Sequence, residues 1–64
     1  MNTSTHYELQ FISDDKTSFA NTVIEGTFEK VVAKARDVVR RRKANNMPGQ
    51  HTLFCPDGRQ ISVE

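Results

Sequence analysis

The chain reads as an α+β domain, a single helix packed on one face of a four-stranded sheet in the order strand, strand, helix, strand, strand. Two observations predict it. First, residues Thr27 to Asn46 carry one apolar stripe at helical spacing: Phe28, Val31, Val32, Ala35, Val38 and Val39. At about 100° per residue these positions fall within an arc of roughly 120°. Second, short alternating or β-rich segments lie on both sides of that helix, each pair joined by a turn signal. One stripe needs one flat apolar partner, and one face of a sheet supplies it.

Size and composition narrow the possibilities. The 64 residues make a single domain, 1–64. A chain this short buries only about 60% of its unfolded surface, so its stability margin is small. The single cysteine, Cys55, rules out an intramolecular disulfide. Two histidines and one cysteine make a four-ligand zinc site of the usual kind hard to assemble. The opening residues Met1-Asn2-Thr3-Ser4-Thr5 are polar, with no apolar run behind a basic start. No signal peptide is therefore expected, and a cytoplasmic location is. No apolar run approaches the length needed to span a bilayer, so no membrane role is expected.

Each element has a local reason. Residues 1–4 read as a frayed terminus. Thr5 to Ser13 alternates, with Tyr7, Leu9 and Phe11 on one side and His6, Glu8 and Gln10 on the other, the pattern of a half-buried strand. Ser13-Asp14-Asp15-Lys16 is a turn whose side chains hydrogen-bond local backbone. Ser18 to Glu25 is a second strand, rich in Phe19, Thr22, Val23 and Ile24. Thr27 is placed to cap the helix and Glu29 to meet its positive end, while Arg40, Arg41, Arg42 and Lys43 suit the negative end. Asn45-Asn46 can end it in a left-handed conformation, and Pro48 prevents continuation. Met47 to Gln50 reads as a loop, His51 to Cys55 as a strand, and Arg59 to Glu64 as the last strand. Pro56-Asp57-Gly58 between them suits a turn with glycine at positive φ. That turn pairs Leu53 with Ile61 and His51 with Val63 and sends Phe54 to the opposite face, whereas a register shifted by one residue would put Phe54 inside and Leu53 outside.

A right-handed crossover would bring the first and last strands together as parallel central neighbours, order 2-1-4-3. In topology this resembles the β-grasp arrangement, also seen in small immunoglobulin-binding bacterial domains. Fold alone implies no function.

Charge is segregated along the chain. The net charge is +1, yet Thr27 to Asn46 holds seven Lys/Arg against two Asp/Glu, and the remainder holds two against six. The candidate binding residues follow from this and from the uncovered side of the sheet: Lys34, Arg36, Arg40, Arg41 and Lys43 on the helix, and Phe54 on the sheet. Arg36, Arg40 and Lys43 share one flank, while Lys30, Lys34 and Arg41 share the other with Asp37 between the flanks. Such a surface suits phosphate or an acidic protein. It equally suits helix-end stabilisation, with Asp37 pairing to Arg41. The near-neutral total weighs against non-specific DNA binding.

Chemistry finds little footing. His51 and Cys55 face the same way on a strand but lie roughly 13 Å apart along it, which excludes a shared metal without distortion. Asp14, Asp15 and Asp57 have structural roles in turns. There is no glycine-rich phosphate loop and no HExxH. No enzyme activity, cofactor or metal is expected. The sequence points to a small macromolecule-binding domain, monomeric or homodimeric, whose partner is a protein of unknown identity. The alternative is a nucleic-acid-binding domain using the basic helix 27–46.

Overall fold

A computed structural model describes residues 6–64. The readings of residues 1–4 as a frayed terminus and of Thr5 as a strand residue lie outside the described residues. The chain forms β1 (His6–Ser13), β2 (Phe19–Glu25), α1 (Phe28–Ala44), β3 (Gly49–Phe54) and β4 (Gln60–Val63). The strands make one four-stranded antiparallel sheet in the order β2-β1-β3-β4, and α1 packs on one face.

The expected α+β class and ββαββ order are both present. The strand order 2-1-4-3 is not. β1 pairs with β3, antiparallel, and β4 lies at the edge. The cause lies in the connection after the helix. The helix of 17 residues is about 25 Å long and carries the chain back to the end of the sheet where β1 finishes. Asn45 to Pro48 then bring the chain directly against the end of β1. The Asp14 N–H donates to the Pro48 carbonyl at 3.1 Å, and Ser13 stands opposite Gly49. Gly49 and Gln50, expected in the loop, therefore belong to β3. A Cβ on Gly49 would collide with the Ile12 carbonyl oxygen and lie 2.5 Å from Phe11 Cε1. Only a glycine lets β3 enter so close to the end of β1.

Side-chain alternation then builds the core. Leu9, Ile24, Leu53 and Val63 face the helix and bury against Val31, Ala35 and Val39. The expected stripe is present but turned. Val32 and Val38 are half-buried at its margins, and Phe28 is 45% exposed, its ring tilted against Tyr7 at a centroid distance of 6.2 Å. The caps are those expected: the Thr27 hydroxyl accepts from the Lys30 N–H at 3.3 Å, and Asn46 is left-handed with φ 57°. The final hairpin has the expected register, Leu53 opposite Ile61 and His51 opposite Val63. Its turn is closed by the Gly58 N–H donating to the Cys55 carbonyl at 3.0 Å, with Gly58 at φ 96°.

Gly49→Ala is expected to cost about 2 kcal/mol through overpacking against backbone, which lowers Tm by about 10 °C in a domain this small. Thermal denaturation followed by circular dichroism measures it. An unchanged Tm would mean that β3 does not enter against Ile12 as described.

Candidate interaction surfaces

The helix covers one face of the sheet and leaves the other bare. From β2 across to β4, that bare face presents Val23, Glu8, Phe54 and Gln60 in one row, since these residues are register partners. The next row is Asn21, Gln10, Thr52 and Ser62, and the third holds Phe19, Ile12 and Gln50. Two partly apolar rows thus flank a polar one. Phe54 lies on this face as expected, but it is half-buried. The most exposed large apolar side chains of the described residues are Phe19 and Val23, at 66% and 60%.

These two were not among the sequence candidates, although a signal existed. Phe19 and Val23 share strand parity with Asn21 and Glu25, whereas Ala20, Thr22 and Ile24 share the other. Because β2 is apolar on both parities, alternation alone does not say which side faces the helix. Pairing with β1 decides it: Ile24 stands opposite Tyr7 and Thr22 opposite Leu9, both on the helix side.

The basic residues divide between the two sides of the helix. Lys30 and Lys34 line a groove of roughly 430 Å³ against β2, together with Ile24 and Val38. Lys43 lines a groove against His51 and Val63 on the β3–β4 side. Helical spacing of about 100° per residue puts Arg36 beside Lys43 and directs Arg40 outward. Lys34, Arg36, Arg40, Arg41 and Lys43 are all exposed. Arg41 is paired with Asp37 at 3.0 Å, the i, i+4 pair that helix-end stabilisation calls for. Among the described residues the other four, and Lys30, have no carboxylate within ion-pair distance.

Arg42 behaves differently from its neighbours. It lies three residues beyond Val39 and seven beyond Ala35, which turns it to the stripe side of the helix. Its guanidinium stacks on the Phe11 ring, 4.6 Å from the centroid. On the same ring His51 packs at 4.9 Å. The three side chains plug the end of the core beneath the C-terminal turns of the helix. Arg42 Nη1 and His51 Nε2 are buried there without a protein hydrogen-bond partner, a cost of about 1–3 kcal/mol each that the stacked cation and ring partly offset. Burial, followed by the nearby Arg42 and Lys43 charges, lowers the pKa of His51 below its ordinary value.

Cys55, just past the end of β3, is buried and free. No three His, Cys, Asp or Glu side chains of the described residues converge as metal ligands. Asp15 ties down its own turn, accepting from the Ser13 and Thr17 hydroxyls at 2.8 Å each, and these bonds hold its carboxyl below the ordinary value. Asp57 is lowered by the Arg59 backbone N–H in the same manner. No helix of the described residues is long and apolar enough to cross a membrane.

In comparisons with known proteins, no family model matches the chain, and neither a curated protein nor a solved structure matches it.

The His51 environment sets a pH response. The unfolded chain takes up a proton near pH 6.5, while folded His51 resists it because its pKa is lowered. Stability is therefore full above pH 6.5 and falls as pH drops below it. The lowered Asp15 and Asp57 act only at more acid pH, near and below 3.8. Urea unfolding at pH 7.5 and pH 5.5 is expected to show lower stability at pH 5.5, and His51→Phe to remove most of the difference. An equal loss in the variant would place the titrating group elsewhere.

Proposed function

We propose that this protein is a non-enzymatic, cytoplasmic protein-interaction module that docks a partner protein on the bare face of its sheet, on the β2 side. One observation carries the reading: Phe19 and Val23 stand exposed on a sheet face to which the described strands contribute no Lys or Arg. Burying two such side chains is worth about 1.5–3 kcal/mol each, enough to anchor an interface built around a few residues. The polar row of Gln10, Asn21, Thr52 and Ser62 supplies hydrogen-bonding groups between the apolar rows. The same face carries Glu8 and Glu25, which disfavours a phosphate backbone there.

A second reading places nucleic acid on the helix. It is favoured by Arg36, Arg40 and Lys43, which are exposed and free of acidic partners among the described residues. Against it stands the division of the positive charge between two sides of the helix, since a nucleic-acid strand follows one continuous stripe.

The test compares the partners that co-purify with the intact protein and with two variants, Phe19→Asp with Val23→Asp, and Arg36→Glu with Arg40→Glu and Lys43→Glu. Quantitative mass spectrometry reads the partners, and anisotropy with labelled DNA and RNA reads nucleic acid at about 50 and 200 mM salt. The proposal expects the sheet variant alone to lose partners, and no nucleic-acid binding. Nucleic-acid binding that falls by orders of magnitude between the two salts and disappears in the helix variant would replace this reading with the second.

A further inference from the structure

The free edge of β2 carries a more specific assignment, which rests on the protein-docking reading above. β2 has a single neighbour, β1, so along its seven residues one side of the backbone has no partner among the described strands. Natural proteins usually blunt such an edge with a proline, a bulge or a charge in mid-strand. The stretch from Phe19 to Ile24 has no proline and no charged residue. The opposite edge strand, β4, is only four residues long.

The groove beside this edge has an apolar floor and a basic wall. Ile24 and Val38 form the floor, and Lys30 and Lys34 stand over it from the helix. Neither lysine has an acidic partner among the described residues. One carboxylate, Glu25, also lines the groove and contacts His6 Nε2 at 3.1 Å, while Asp37 is paired with Arg41 at 3.0 Å. Lys30 and Lys34 lie one helical turn apart, about 6 Å along the axis. Alternate residues of a β-strand lie about 6.6 Å apart on one face. The two lysines thus match two same-side carboxylates of an extended chain laid against β2.

We infer that the β2 edge accepts an extended acidic segment of a partner protein as a fifth strand, with alternate carboxylates on Lys30 and Lys34. Its intervening side chains then fall on the bare face, where apolar ones cover Val23 and Phe19. Main-chain hydrogen bonds to β2 supply attachment, and the lysines supply selection. A second copy of this chain is a poor occupant. Pairing β2 with its own copy about a two-fold axis sets both helices on one face and brings Lys30 and Lys34 of both copies together at the junction, where like charges repel.

Amide shifts of the isotope-labelled full chain, titrated with acetyl-Glu-Val-Glu-Val-Glu-Val-amide, test this. Shifts are expected at residues 19–25 and at Lys30 and Lys34. Lys30→Glu with Lys34→Glu is expected to weaken binding by about tenfold, the worth of two exposed ion pairs. The lysine counterpart of the peptide, and an acidic peptide N-methylated on the edge-facing amides, are expected not to bind. Both lysines are exposed, so the double variant retains its core. Absence of shifts at β2, equal binding by the lysine peptide, or acidic-peptide binding indifferent to the lysine variant would each overturn the inference. A self-associated protein whose β2 edge is already paired would overturn it too. If the peptide fails while Phe19→Asp with Val23→Asp still loses partners, the docking reading stands and this assignment alone falls. If that sheet variant loses no partner, the docking reading falls.

Discussion

The packing of Val31, Ala35 and Val39 on Leu9 and Leu53 is the constraint from which the rest follows. A helix with its side chains is about 10–12 Å across, whereas four strands at about 4.8 Å spacing span about 14 Å between the outer backbones alone. One helix cannot cover that width evenly. It settles over the central strands, where Leu9 and Leu53 are register partners, and Val31, Ala35 and Leu53 have no measurable exposure. The outer strands are left beside the flanks of the helix rather than under its centre. Residues about a quarter-turn from the stripe therefore project over the two side grooves. In this sequence several of those residues are lysine or arginine.

Positive charge is thus an edge property of this fold. The single arginine that turns inward, Arg42, takes a structural place over Phe11 and beside His51. Together with Gly49, which lets β3 lie tight against Ile12 and Phe11, it closes the end of the core where the helix hands the chain to β3. That closure sets the strand order as well, because a chain pinned at Pro48 and Gly49 pairs with β1 and leaves the edge position to β4.

Much of this was legible in the residues. The helix limits followed from Thr27, Asn46 and Pro48, and the last hairpin from Pro56-Asp57-Gly58, because caps and tight turns are local chemistry. The order of the strands was not legible. It depends on a contact between residues 14 and 48 that no spacing rule encodes. The side of β2 that meets the helix was ambiguous for a related reason: Phe19 and Val23 share one parity, Ala20 and Ile24 the other, and only pairing with Tyr7 and Leu9 separates them. Of the candidate binding residues, Arg41 has a structural partner in Asp37 and Phe54 is half-buried. The exposure of Phe19 and Val23 on the bare face, and the groove that Lys30 and Lys34 share with β2, came into view only once the sheet was assembled.

The account rests on β2 being an open edge beside a helix centred on β1 and β3. Residue-resolved amide hydrogen exchange on the isolated protein tests that most directly. Protection is expected to be highest in β1 and β3, and alternate amides of β2, those directed away from β1, are expected to exchange quickly at every protein concentration. Uniform protection of β2 at the level of β1, or protection that grows with concentration, would contradict it by showing that the edge is already paired.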